Sequence, residues 1–339
     1  MPSLKPINRQ TIVLTGASSG IGLATAERAA RKGAKLMIAS RNGEELQRIA
    51  ERLSKRFNTE VEPFALDVAD ADAVLALKDA AITRFGGFDS WVNDAAAATY
   101  GKVTEVTPED HRRVFEVGYW GTVQGSLAAA AHLKQRGGAL VNLGSILSER
   151  SVNLQGPYCA MKHAVKGFTD TLRMELAVDA PNVSVTLIKR AGINTPYPEH
   201  ARNYLDQPVR IPPVLYDPRL VAKAILHACE TPTRELTVGG TGWLIEKFGN
   251  LAPTAADKFT EAFGRALQTT RQLPPVARVD NLFRPREDGA IESSGNYFVR
   301  RTSLMLEAQM HPAVAAIGGI AAAGAGLALA GLGVARRGR

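Results

Sequence analysis

At 339 residues, 45% of them apolar and 22% charged, the chain has the composition of a globular protein long enough to bury a sizeable core. Its net charge of +8 comes from scattered basic residues with no interleaved aromatic stripe, which argues against nucleic acid as a partner. Two cysteines, Cys159 and Cys229, are too few for a disulfide framework or a zinc site, so no metal is expected and a reducing compartment fits.

The first ten residues, MPSLKPINRQ, hold no long apolar stretch, and a cytoplasmic location is expected. From Gln10 to about Gly240, short β-prone runs alternate with amphipathic ones. The strand candidates are TIVLT, KLMIAS, VEPFALDV, FDSWVND, ALVNLGS, VSVTLIKR and ELTVGG. Helices are predicted near 21–32, 43–57, 71–85, 108–135, 156–178 and 217–230, with Gly33 suited to closing the first. Strict alternation predicts an α/β fold, a Rossmann-like doubly wound parallel sheet of about seven strands with helices on both faces. Such sheets bind ligands beyond the carboxyl ends of their strands.

The segment TIVLTGASSGIG (11–22) sets a strand, a glycine loop and a helix start in immediate succession. Gly16 suits a tight turn, while Gly20 and Gly22 let the backbone approach a pyrophosphate at the positive end of the following helix. Further on, Tyr158 and Lys162 stand one helical turn apart in YCAMK, thirteen residues beyond Ser145. Positions i and i+4 share a face, so the ammonium can lie beside the phenol and favour its ionised form. Alone, that spacing also fits an ordinary helix face, and Ser145 fits a turn cap after its strand.

The 195–218 stretch breaks the rhythm with six prolines, among them Pro196, Pro208 and Pro213, between Tyr197, His200, Tyr204 and Tyr216; it is expected to be a substrate lid. After Gly240 comes an extension (241–311) in which Phe259, Phe263 and Leu267 recur every four residues. Packing of that stripe against the main domain is the favoured expectation, followed by a membrane surface or a second subunit. Residues 270–311 read as a tether or wrapping arm. Residues 313–335 carry no charge across 23 positions, with seven Val, Ile or Leu, ten Ala and six Gly, before Arg336, Arg337 and Arg339. That length spans a bilayer core, and Ala322, Gly326 and Ala330 form a small-residue row, so a transmembrane anchor in the 312–339 tail is expected over a buried helix or a low-complexity tail.

Taken in order, TGASSGIG, Ser40 and Arg41 at a strand end, Asp67 and Val68, Asn93 in VNDAA, Ser145 and YCAMK resemble the short-chain dehydrogenase/reductase family over residues 7–240. The resemblance implies that Tyr158 is the general acid/base, that Lys162 lowers its pKa and holds the nicotinamide ribose, and that Ser145 orients a carbonyl. It further assigns Thr15, Gly16, Ser18, Ser19, Gly20, Ile21, Gly22, Arg41, Asp67, Val68, Asn93, Ala95, Ile193 and Thr195 to the cofactor, with Asp67 on the adenine ring. Because the second strand ends in Ser40, Arg41 and Asn42 with no acid before Glu44, NADP(H) is favoured over NAD(H), unless Arg41 is only a solvated charge.

Two departures qualify this expectation. Gly118 stands where the family usually has an Asn that links Lys162 to a proton relay, so slower proton resupply, or a water in the vacated space, is expected. Arg190 stands where the family has Pro, and a cation pointing inward there would favour reduction by NADPH. The expected function is NADP(H)-dependent interconversion of an apolar alcohol and a ketone or aldehyde by a homo-oligomer, with membrane association through the C-terminal tail. The alternative is a cofactor-binding regulator or membrane scaffold with the same fold.

Overall fold

The computed structural model describes residues 2–270, 279–286, 289–313 and 315. All seven predicted strands form: β1 (Thr11–Thr15), β2 (Lys35–Ser40), β3 (Val61–Ala65), β4 (Ser90–Asn93), β5 (Gly138–Leu143), β6 (Val183–Arg190) and β7 (Glu235–Val238). They make one parallel sheet in the order β7-β6-β5-β4-β1-β2-β3. The strand period of two divides their apolar residues between two cores. Ile12, Leu14, Leu36 and Ile38 face α1 (Gly20–Arg31), α2 (Gly43–Phe57) and the later helix over Pro218–Glu230, whereas Val13, Met37 and Ala39 face the opposite layer.

That opposite layer holds α3 (Ala71–Phe85), α4 (Pro108–Phe115), α5 (Gly121–Arg136) and α6 (Gly156–Asp179). Asp70 caps α3 by accepting the Asp72 and Ala73 N–H groups, and Asn42 caps α2 through Glu45. The single helix predicted over 108–135 is instead two helices joined by a π-helical turn at Glu116–Trp120. Gly118 lies inside this turn, where its carbonyl accepts a 2.8 Å bond from the Thr122 hydroxyl. The expected space for a water is absent: a Cβ on Gly118 would sit 2.6 Å from the Met161 sulfur. Met161, one residue before Lys162, fills the volume.

The expected lid is pinned at several points. After β6 come α7 (Tyr197–His200), then Arg202–Asn203, which pairs with Thr99–Tyr100, and Leu215–Tyr216, which pairs with Val299–Arg300. These precede α8 (Pro218–Glu230), whose cap is Asp217.

The extension folds onto this frame as α9 (Gly240–Leu251), α10 (Pro253–Gln268) and α11 (Leu304–Met310). Buried Glu246 of α9 meets Lys189 of β6 at 3.2 Å. The Gln309 amide both accepts from and donates to the Thr237 backbone at 2.9 Å, covering the open edge of β7. The stripe on α10 departs from expectation: Phe259 and Phe263 are 55% and 54% exposed, their rings packed on each other at 5.2 Å. α10 buries its small and amide face instead, through Ala256, Gly264 and Gln268, because Gln268 bonds Asn153 and Gln155. No helix among the described residues is long and apolar enough to cross a membrane, and residues 316–339, which hold most of the expected anchor, lie outside the described residues.

Asn93 ties the sheet to α5. Its amide donates to Asn142 at 2.9 Å and Ser126 at 3.2 Å, and its carbonyl accepts the Trp91 indole at 2.8 Å. Asn93→Ala leaves that indole N–H buried without its acceptor; urea denaturation is expected to show a loss of about 1–3 kcal/mol.

Candidate active site

A cleft opens beyond the carboxyl ends of β1 and β4, where the strand order reverses. Gly16, at φ 74°, packs so tightly on the next loop that a Cβ there would lie 2.8 Å from the Ala95 nitrogen. A Cβ on Gly22 would lie 2.1 Å from the Gly16 carbonyl oxygen. Only glycine brings the turn, the helix and the β4 loop this close, and Ser19 at the N-cap of α1 makes no side-chain capping bond. The cradle therefore fits a dinucleotide pyrophosphate at the helix amino end.

Of the residues expected around a cofactor, Gly16, Ser18, Ser19, Gly20, Ile21, Arg41, Asp67, Val68, Ala95 and Thr195 line the cleft. Thr15, Gly22, Asn93 and Ile193 stand behind the lining. Thr15 receives the Asp94 N–H at 3.3 Å, joining the ends of β1 and β4, and Ile193 is fully buried. Two residues differ from expectation in what they hold. The Asp67 carboxylate, expected on adenine, is paired with Arg113 and accepts the Ala69 N–H at 3.0 Å. The Arg41 guanidinium donates to the carbonyls of Leu282, at 3.2 Å, and Asn281, both in the extension.

Ser145, Tyr158 and Lys162 come together, but beneath the cleft wall; they are 3%, 2% and 3% exposed. Ser145 caps the turn Ile146–Ser148 through the Leu147 N–H at 3.1 Å and also hydrogen-bonds the Tyr158 phenol. The Lys162 ammonium donates to the Leu143 carbonyl at 2.6 Å and lies 5.7 Å from the centre of the Tyr158 ring. Arg190 points inward, its guanidinium 2.9 Å from the Tyr158 hydroxyl. Tyr197 of α7 packs edge-on against Tyr158 at 5.4 Å and donates to Gln155 at 2.9 Å.

The charges differ from the simple expectation that lysine lowers the phenol pKa. Burial raises Tyr158 above the ordinary tyrosine value, and the cation that opposes this is Arg190. Burial, assisted by Arg190, lowers Lys162 to about 7, with Asp94 acting in the other direction. Burial raises Asp94 to about 6 against the pull of Arg190 and Lys162. Asp94 and Tyr197 are site residues that no motif singles out, although both sit in segments the sequence marks: VNDAA, beside Asn93, and the proline-rich stretch 195–218.

Residues 10–205 match the profile described as short chain dehydrogenase. This chain belongs to the short-chain dehydrogenase family. It is 41% identical over 295 residues to the uncharacterized oxidoreductase YxnA of Bacillus subtilis, covering 86% of this chain and 80% of that protein. Its fold is similar to a short-chain dehydrogenase from Streptomyces avermitilis, at 25% identity and a TM-score of 0.64 over 76% of this chain and 98% of the other. It is also similar to the L-sorbose reductase of Gluconobacter frateurii complexed with NADPH and L-sorbose, at 26% identity and a TM-score of 0.60 over 69% and 96%. Family membership makes the chain an oxidoreductase acting on CH–OH groups with a nicotinamide cofactor.

If the charged Lys162 ammonium holds the cofactor ribose, NADPH affinity falls as pH rises through about 7. Asp94 raises the Lys162 pKa, so Asp94→Asn is expected to move this fall to lower pH in fluorescence titrations between about pH 5.5 and 8.5. An unmoved profile would show that Lys162 does not set the dependence.

Proposed function

We propose that this short-chain dehydrogenase is an NADP(H)-dependent reductase that interconverts an apolar alcohol with its ketone or aldehyde, working chiefly in the direction of reduction. The observation that carries the reading is the inward Arg190 guanidinium, 2.9 Å from the Tyr158 hydroxyl. The hydride for the substrate carbon would be supplied by a nicotinamide held in the cleft, with Lys162 at its ribose. Tyr158, held protonated by burial, donates its hydroxyl proton to the substrate oxygen, and Ser145 holds that oxygen. Arg190 steadies the phenolate left behind. With a nicotinamide held in the cleft, the inward charge of Arg190 would also disfavour the positively charged oxidised form. Arg41 at the end of β2, with no acid beside it before Glu44, supports the 2′-phosphate of NADP(H).

For the trio to meet substrate, Tyr197 must move aside while Arg190 keeps its place beside the phenol. Their burial beneath these side chains is also what favours the second reading, a cofactor-binding regulator without useful turnover. Ala96, Ala97, Ala98, Pro196 and Tyr197 along the cleft support an apolar substrate. Exposed Trp120, Leu127, Met174 and Val178 around α5 and α6 support association with a second copy. The uncharged 313–335 run supports attachment to a membrane.

Tyr158→Phe is expected to abolish NADPH oxidation across a panel of ketones and aldehydes while NADPH still binds; undiminished turnover would refute the proton-transfer role. Arg190→Met is expected to narrow the preference for NADPH over NADP+ by about tenfold, measured as the ratio of dissociation constants. Carbonate extraction of membranes is expected to retain the full chain and to release one lacking residues 312–339.

A further inference from the structure

The segment that covers the nucleotide end of the cleft comes from the extension, outside the residues matched by the family profile. We infer that residues 279–286 and 289–295 form a clasp that fastens the glycine loop to the lid, and that it must part each time the dinucleotide enters or leaves. The inference rests on the reading of the cleft as a cofactor site.

On one side the clasp holds the residues around the nucleotide. The Gly289 N–H donates to the Ser18 carbonyl at 2.8 Å, and the Gly20 N–H donates to the Ala290 carbonyl at 2.9 Å, so two backbone bonds join it to the glycine loop. Arg41 donates to the Leu282 and Asn281 carbonyls, and Asn42 to the Arg286 carbonyl at 3.1 Å. Arg113, the partner of Asp67, donates to the Leu282 carbonyl at 3.0 Å.

On the other side it holds the lid. The Asn281 N–H donates to the His200 carbonyl at 2.9 Å, Ser293 and the Ser294 N–H both donate to Glu199, and Arg286 donates to the Glu199 carbonyl. Arg202 pairs with Asp280 at 2.9 Å. Between the two sides Leu282 is fully buried in the core below the sheet, and Phe283 lies under both the Arg113 and Arg202 guanidinium groups. Asn281, Pro285 and Arg286 then form the outer wall of the cleft.

This geometry couples three parts that a nucleotide must separate or pass: the glycine loop, the strand-end Arg41 and the lid. The same hydrogen bonds span the cleft from the glycine loop and Arg41 to the lid, so parting them taxes entry and exit alike. A gate of this kind changes both rate constants, whereas a wall that only touches the ligand changes the dissociation rate alone.

The test is stopped-flow NADPH fluorescence, with association followed directly and dissociation by displacement with excess NADP+, in the wild type, Asp280→Asn and Leu282→Ala. Asp280→Asn removes one partly exposed ion pair and guards against loss of the fold. Limited trypsin cleavage after Arg284 and Arg286 reports independently whether the clasp has loosened. Association and dissociation rates are both expected to rise, by about tenfold in Leu282→Ala, with Kd changing by less than about threefold. Faster cleavage with unchanged rates, or a faster dissociation alone, would overturn the gate. Wild-type protein that binds neither NADPH nor NADH would overturn the cofactor reading and this inference with it. Wild-type protein that binds and exchanges at diffusion-limited rates would overturn the inference alone.

Discussion

The rest of the site depends on one inward-pointing cation. The charge of Arg190, at the end of β6, is met by the Tyr158 hydroxyl at 2.9 Å, the face of Tyr197 at 5.9 Å and the nearby Asp94. Burial opposes that charge, and the neighbours hold the guanidinium above the ordinary arginine value nonetheless. Burial, assisted by the fixed charge of Arg190, lowers Lys162 to about 7: of two cations sharing a buried site, the ammonium releases its proton more readily than a guanidinium. In the family pattern the resemblance supplied, lysine is the cation that tunes the phenol. Here that place passes to Arg190, and Lys162 is left anchored on the Leu143 carbonyl.

The glycine at position 118 acquires a meaning from the same neighbourhood. An Asn side chain cannot be restored there without displacing Met161, whose sulfur would lie 2.6 Å from the new Cβ. The π-helical turn survives without the Asn because the Thr122 hydroxyl holds the Gly118 carbonyl. Backbone geometry and proton supply are therefore separable: the first is retained by Thr122, while the space for a relay water is filled by a thioether. A phenol kept protonated by burial, with Arg190 beside it, matches the proton-donating role proposed for Tyr158.

What the sequence made legible was local or periodic. The seven strands, the glycine cradle and the pairing of Tyr158 with Lys162 all follow from spacings shorter than two helical turns or from a strand period of two. What stayed hidden depends on contacts made over long chain separations. That Arg41 would face carbonyls of residues 281 and 282, or that Asp67 would be taken by Arg113, is decided by how distant segments meet. The α10 stripe misled for a related reason. Helical periodicity marks an apolar face but cannot say whether the opposite face, here carrying Gln268, has a better partner.

The extension therefore belongs to the chemistry as much as to the fold. A buried amide chain runs from α10 to the active site: Gln268 accepts from Gln155, and Gln155 accepts from the Tyr197 hydroxyl at 2.9 Å. Tyr197 in turn covers Tyr158. Each amide in such a chain has its orientation fixed by the next, because a flipped member would set donor against donor in a site that water does not reach. The position of the lid tyrosine is thus set from a helix that lies beyond the matched family region. Under the proposed function Tyr158 donates its proton from beneath Tyr197, and fixing Tyr197 through Gln155 and Gln268 gives that cover one position without placing another charge near Arg190.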